Sequence, residues 1–260
     1  MKAIIVAAGR GRRLGSETEA LPKCMVEVGG RPILHWQLDA LAAAGVDDVV
    51  VVRGYRGDCI APAPGSGLRL RFVENPDWAE NNILTSLFYA EHEMDGGFLF
   101  SYSDIVFATE HALRVAAAPD AVALVIDRRW HEAYVGRELH PVSEAELARV
   151  EETPAGPRVT RVGKRLVAPE EAAGEFIGLA RFSAEGATAL RAVWREAAVG
   201  GLEAPFGAAA TLRQAYLSDA LNALAARGVP LVPVLIDGRW REIDTEEDLA
   251  RAHAAVAAWG

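Results

Sequence analysis

Two apolar runs with no polar interruption set the fold class before anything else. Lys2–Ala7 runs straight into glycines, and Asp48–Arg53 carries four consecutive valines, Val49 to Val52. A strand half open to water alternates apolar with polar residues, whereas one that is apolar throughout is covered on both faces. Between and beyond these runs the period changes repeatedly. Residues 32–44 read as a helix with Pro32 at its first position, Leu34, Leu38 and Leu41 on one face and Gly45 as its stop. Further helices are predicted over 82–93, 110–117, 184–198, 212–226 and 245–259, and further strands over 68–74, 97–101, 121–127 and 231–236. Segment 54–67 reads as a Gly/Pro-rich loop and 128–141 as irregular; short strands at 148–152, 158–162 and 176–182 follow. This alternation predicts an α/β fold: a mixed, mostly parallel sheet with helices on both faces and a small antiparallel extension or lid.

Composition narrows the function classes. With 27 Lys+Arg against 36 Asp+Glu the formal charge is −9, opposite to the basic surplus of a nucleic-acid or anionic-membrane binder. A small anionic substrate stays compatible, because a pocket can be locally basic. Cys24 and Cys59 allow at most one bridge and make no metal site by themselves. No apolar run approaches the ~20 residues of a membrane span, and the N-terminus reads as a first strand rather than a signal peptide because Arg10, Arg12 and Arg13 follow at once. A cytoplasmic protein is expected.

The loop after the first strand, Ala7-Ala8-Gly9-Arg10-Gly11-Arg12-Arg13-Leu14, is followed by Leu21-Pro22-Lys23. Glycines allow backbone N–H groups close to a phosphate chain, and Arg13 and Lys23 add charge suited to a polyphosphate. The spacing is neither the dinucleotide fingerprint nor a P-loop, which would close on Gly-Lys-Ser/Thr. Together with Gly30-Arg31-Pro32-Ile33-Leu34 it resembles the signature of the nucleotidyltransferases that activate phosphorylated compounds with a nucleoside triphosphate. The resemblance implies a single Rossmann-like, GT-A-like domain over 1–260. It also implies a loop (Ala7, Ala8, Gly9, Arg10, Gly11, Arg12) that holds the triphosphate, with Arg13 and Lys23 stabilising the phosphates during attack and pyrophosphate departure.

Nucleotidyl transfer needs a divalent ion on the phosphates, and Mg2+ takes one or two carboxylates while keeping several waters. Asp104 follows the strand at 97–101, on the strand edge where open α/β sheets bind ligands, and Ser103 beside it is a candidate nucleotide contact. Asp244 is the second candidate, with an alternative role as N-cap of the terminal helix in a box closed by Glu247. In the resembled family both positions are metal-binding aspartates.

Asn81-Asn82-Ile83-Leu84-Thr85-Ser86-Leu87 resembles a stretch of the phosphocholine and phosphonate cytidylyltransferase-like branch, as does Gly174-Glu175-Phe176-Ile177-Gly178. Asn82 and Ser86 are candidates for nucleotide contact, with helix capping as the alternative. The acceptor is expected against residues 128–182, at Arg128, Arg129, Tyr134, Arg137, Lys164 and Glu175, with His140 close by and Trp130 and Tyr134 either forming a cation–π wall or packing. Surface pairing of Arg128 and Arg129 with Glu132 or Glu138 is the alternative for those two. So many cations suggest an acceptor more negative than phosphocholine, such as a carboxylated phosphonate. Cys24 is read as a small buried filler.

The resulting expectation is Mg2+-dependent transfer of CMP from CTP to a small phosphate or phosphonate. The expected partners are CTP and that acceptor, with no nucleic acid and no membrane; a homodimer is compatible. A sugar-1-phosphate nucleotidyltransferase using UTP or dTTP and a silent nucleotide-binding regulator stand as alternatives. A GT-A glycosyltransferase would show Asp-x-Asp where this chain has Ser103-Asp104-Ile105.

Overall fold

The computed structural model describes residues 1–63, 65 and 67–259; Pro64 and Ser66 of the 54–67 loop, and Gly260, lie outside the described residues. In chain order the elements are β1 (Lys2–Ala7), β2 (Glu27–Val28), β3 (Arg31–Pro32), α1 (Ile33–Ala43), β4 (Asp48–Arg53), β5 (Arg69–Glu74), α2 (Ile83–Phe88), β6 (Phe98–Tyr102) and β7 (Ile105–Phe107). There follow α3 (Thr109–Ala116), β8 (Val122–Asp127), α4 (Trp130–Tyr134), β9 (Glu146–Glu151), β10 (Arg158–Lys164), β11 (Gly174–Phe182), α5 (Ala184–Ala198), α6 (Leu217–Ala226), β12 (Leu231–Ile236), β13 (Trp240–Glu242) and α7 (Glu246–Ala257).

The main sheet runs β5-β4-β1-β6-β11-β8-β12. Strands β5, β4, β1 and β6 are parallel, and so are β8 and β12; β11 alone is antiparallel to its neighbours β6 and β8. The first residues of β11 also pair with β9, which pairs with β10, so residues 128–182 add an antiparallel arm to the same sheet. Alternation along the all-apolar strands feeds two cores. Ile4, Val6, Val50 and Val52 face α2, α5 and α6, while Ala3, Ile5, Val49 and Val51 face α1 and α3. That double burial is why Ala3–Ala7 and Val49–Val52 include no polar residue.

Several boundaries differ from those expected. Pro32 is the N-cap of α1 rather than its first residue, whereas Gly45, at φ +82°, ends it as expected. The helix predicted over 82–93 stops at Phe88, and that over 212–226 is a short turn at Leu212–Gln214 followed by α6. The segment 128–141, expected to be irregular, contains α4.

Most important for the site are two three-residue strands with no signature in the sequence pattern. β7 and β13 pair antiparallel, Ile105 opposite Glu242 and Phe107 opposite Trp240. A separate apolar cluster of Leu14, Val28, Ile33, Val106, Ile243 and Val256 fastens this ribbon to the glycine loop and α7.

Candidate active site

The glycine loop leaves β1 at the carboxyl edge of the sheet. Gly11 has φ +69°, a left-handed conformation that strains any residue with a Cβ. A Cβ there would also lie 3.0–3.1 Å from three carbons of the Lys23 stem. Gly11 therefore allows the lysine to cross the loop. The loop is pinned where Thr18 Oγ1 donates to the Gly11 carbonyl (3.0 Å) and the Leu14 N–H donates to the same oxygen (3.0 Å).

Lys23 is only 8% exposed. Its ammonium donates to Asp104 Oδ2 (2.8 Å) and to Asp244 Oδ1, and Arg13 Nη2 donates to Asp244 Oδ2 (2.5 Å). Burial works against charge on Lys23, but the two carboxylates outweigh it and raise its pKa. Burial likewise disfavours ionised Asp244, yet Lys23 and Arg13 hold it well below the usual carboxylate range. Lys23 and Asp244 are therefore charged together.

The β7–β13 ribbon explains how two aspartates 140 positions apart meet. Asp104 lies in the turn between β6 and β7, and the Ile243 N–H donates to the Asp104 carbonyl at 2.8 Å. Asp244 is not the N-cap of α7. Thr245 takes that role: its hydroxyl accepts from the Asp248 N–H (3.2 Å), and the Asp248 carboxylate accepts from the Thr245 and Asp244 N–H groups (2.9 and 3.1 Å). The box is closed by Asp248 rather than Glu247, which leaves the Asp244 carboxylate to the site.

Two cavities meet at these residues. One, of about 250 Å3, lies between Gly9, Gly11 and Lys23 on one side and Trp78, Asn82 and Ser86 on the other, with Ser103 on its border. The second, of about 210 Å3, is bordered by Tyr102, Glu144, Glu146, Lys164, Glu175 and Tyr216. Arg13, Asn82, Asp104 and Asp244 border both. Tyr102 forms part of the shared wall because Gly178 lies beneath it: a Cβ on Gly178 would fall 2.2 Å from the ring.

The remaining expected residues divide by position. Ala7 and Ala8 are buried, and the Ala8 carbonyl accepts from the Tyr55 N–H (3.0 Å). The Arg10 guanidinium lies over the Tyr55 ring, 5.3 Å from its centroid, and Arg12 is exposed; neither borders the cavities. Asn82 caps α2 through Oδ1 and donates to the Gln214 carbonyl (3.1 Å). Ser86 belongs to a buried triangle with Asn75 and Asn81 (2.9–3.1 Å). Lys164 points into the smaller cavity, 3.2 Å from Glu144 Oε2 and 5.0 Å over the Tyr216 ring. Glu175 is buried and accepts from the Tyr134 hydroxyl (2.7 Å); burial pushes its carboxyl up to about 8.

Four of the expected acceptor cations are elsewhere. Arg128 pairs with Asp237 (3.0 and 2.5 Å) and Arg129 with Glu132 (2.7 and 2.5 Å), both on the surface, because each points outward from the end of β8 toward an acid. Arg137 is buried behind the cavity, donating to Asp248 (2.6 Å), and His140 is wholly enclosed with Glu242, Asp244 and Asp248 oxygens 3.4–3.6 Å from its ring nitrogens. Tyr134 and Trp130 pack on one another with Leu147 and Val167 instead of forming a cation–π wall. The charge argument for an acceptor more negative than phosphocholine therefore fails.

Sequence reasoning missed Glu242 and placed His140 with the acceptor cations rather than beside Asp244. Glu242 had a signal: two residues before Asp244, it lies on the same side of an extended chain. His140, Glu242 and Asp244 each offer an atom within 4.8 Å of the others, and Asp104 Oδ1 is buried with no hydrogen-bond partner among the described residues. This mainly hard-oxygen set, with an unsatisfied carboxylate oxygen, fits Mg2+ or Mn2+.

A glycine loop with paired cations thus faces two acids between two adjoining cavities. The model of the MobA-like NTP transferase domain matches residues 3–169, and the chain belongs to that family of nucleotidyltransferases. It is 28% identical over 259 residues to the CTP:phosphoglutamine cytidylyltransferase of Campylobacter jejuni, covering 96% of this chain and 98% of that one. It is 36% identical over 131 residues to the CMP-5'-(3-aminopropyl)phosphonate synthase of Streptomyces rubellomurinus, a match spanning 49% of this chain and 21% of that protein. The fold is shared with the inositol-1-phosphate CTP transferase of T. maritima (TM-score 0.72, 21% identity, 98% and 94% of the two chains). It is shared also with the CTP:phosphocholine cytidylyltransferase of Streptococcus pneumoniae (TM-score 0.69, 19% identity, 98% of each).

Proposed function

We propose that the chain is a divalent-metal-dependent cytidylyltransferase whose acceptor is a small phosphate or phosphonate carrying an amine or amide. An acceptor oxygen attacks the α-phosphorus of CTP, and the bond to the pyrophosphate oxygen breaks. The observation that carries this reading is the meeting of the two cavities at Arg13, Asp104 and Asp244; the full-length likeness to the phosphoglutamine enzyme supports CTP as donor.

In this reading the triphosphate lies along Gly9–Gly11 in the larger cavity, with Arg13 and Lys23 donating to its oxygens. Asp104 and Asp244, with Glu242 beside them, hold the divalent ion, which when bound neutralises phosphate charge. No side-chain nucleophile or general base is needed, because the acceptor oxygen is already anionic; alignment and charge stabilisation supply the rate. Residues 128–182 form the acceptor-binding part of a single domain. Lys164 receives the acceptor phosphate, and the acids Glu144, Glu146 and Glu175 with the tyrosines Tyr102 and Tyr216 receive its nitrogen-bearing end. Among the described helices none is long and apolar enough to cross a membrane, and both cysteines are free; both facts are in keeping with a cytoplasmic enzyme.

The test is pyrophosphate release over four nucleoside triphosphates against phosphocholine, 2-aminoethylphosphonate, phosphoglutamine, a carboxylated phosphonate and glucose 1-phosphate. Turnover is expected with CTP and a nitrogen-bearing acceptor. Turnover confined to UTP or dTTP with the sugar phosphate would replace this reading by the sugar-nucleotide one.

A further inference from the structure

Behind the acceptor cavity lies a third hollow, of about 350 Å3, that the proposed transfer does not use. Its apolar lining comes from Ala133 of α4, Ala254 and Ala255 of α7, and Trp240 of β13. Besides Glu242, two residues border this hollow and the acceptor cavity alike, Glu175 and Trp240. They are only 3% and 5% exposed, and each is anchored, Glu175 by the Tyr134 hydroxyl (2.7 Å) and the Trp240 indole N–H by Asp127 Oδ2 (2.7 Å). They form a partition between two spaces rather than a channel.

The charges around the hollow nearly cancel, with one exception. Arg251 donates to Glu247 (3.1 Å) and to the carbonyls of Val135 (3.1 Å) and Gly136 (2.5 Å). Glu132 is held by Arg129, and Asp248 by Arg137. Arg241 has no carboxylate partner among the described residues and donates only to the Trp240 carbonyl (2.6 Å). Arg137 adds an independent observation: its side chain is 5% exposed, it borders the hollow, and among the described residues its Nη2 makes no hydrogen bond, Glu242 Oε2 lying 3.6 Å away. A buried guanidinium donor without an acceptor is costly.

We propose that this hollow is a binding site, distinct from both substrate sites, for a small organic monocarboxylate. The carboxylate takes Arg241 in the two-pronged geometry a guanidinium favours, and the apolar body lies on Ala133, Ala254, Ala255 and the Trp240 ring. A single negative charge matches the single unpaired cation, whereas a phosphate dianion would face Glu132, Glu242 and Asp248 with no second free cation.

The probe is 4-(trifluoromethyl)benzoate, followed by fluorine NMR during titration of the whole protein. Saturable binding to the wild type is expected, weakened at least about tenfold by Arg241→Met, unchanged by Lys164→Ala and unaffected by CTP with Mg2+. Ala255→Leu, which narrows the hollow without touching a charge, should weaken it as well and decides the matter if Arg241→Met does not fold. Absence of saturable binding, survival of binding in both Arg241→Met and Ala255→Leu, or loss with Lys164→Ala each overturns the proposal. Turnover is not measured, so the outcome is independent of the acceptor's identity.

Discussion

Asp104 differs from Asp244 in what its loss would disturb. Its side chain is 25% exposed, and Lys23 keeps Asp244 if Asp104 is neutralised. Asp104→Asn is therefore expected to lower kcat by at least about 100-fold, the scale of a lost charge-stabilising group, while the melting temperature moves by only a few degrees. Near-normal turnover would remove Asp104 from the site. Lys164 is expected to act on one substrate only: Lys164→Ala should raise the acceptor KM by about tenfold or more with a much smaller effect on the CTP KM, and an unchanged acceptor KM would count against its role. At this scale Arg13, Lys23, Asp104 and Asp244, singled out by residue type and local spacing, do lie together, whereas Arg10 and Arg12 of the same loop border neither cavity. Arg128 and Arg137 were misplaced because their partners Asp237 and Asp248 are about 110 positions away, whereas the Arg129 pairing with Glu132, three positions on, was open to local reading. No local pattern shows that a cation is satisfied by a residue so far along the chain.

Among the elements, the amino-terminal ends of the parallel strands are tied by one charged network. Arg71 of β5 donates to Asp48 of β4 (2.9 and 3.0 Å) and to Glu93 (2.7 Å); Lys2 of β1 lies 3.0 Å from Glu93, and Arg69 2.7 Å from Asp48. Arg71 chiefly, helped by Arg69 for Asp48 and by Lys2 for Glu93, holds both carboxyls at about 2, below their ordinary 3.8 and 4.5. A depressed carboxyl contributes stability that is complete above its unfolded pKa and disappears as pH falls through the folded one. Stability should therefore drop from about pH 4.5 toward pH 2. Arg71→Met should cost roughly 2–4 kcal/mol at neutral pH, because it leaves two half-buried carboxylates with poorer partners, and should flatten that acid slope. Urea titrations of both proteins at several pH values read it, and parallel slopes would rule the network out as their cause. The same scale shows why the sheet was legible and the ribbon was not. Five consecutive apolar residues in β1 and four in β4 announce doubly covered strands, while the three residues of β7 or of β13 show no period at all. Yet that pairing, a long-range contact, brings Asp104 to Asp244.

For the whole molecule, the formal charge of −9 bears directly on how a triphosphate binds. At the junction of the cavities Asp104, Asp244 and Glu242 face Arg13 and Lys23, and the acceptor side adds Glu144 and Glu146 against Lys164. Lys23 and Arg13 are already engaged by the aspartates. Without a divalent ion, a tetra-anionic nucleotide would have to draw these cations away from Asp104 and Asp244 and leave two buried carboxylates uncompensated beside it. With the ion, the carboxylates gain a partner and the cations become free for phosphate. Metal and nucleotide should therefore bind with strong positive coupling. At about 100 times its Kd a ligand stabilises by ~2.7 kcal/mol, which for a chain of this length is a rise of roughly 5–10 °C in melting temperature. That rise is expected for CTP with MgCl2, and little or none for CTP with EDTA or MgCl2 alone. An equal rise for CTP in EDTA would mean that the triphosphate is held by cations alone, and would take Asp104 and Asp244 out of metal binding.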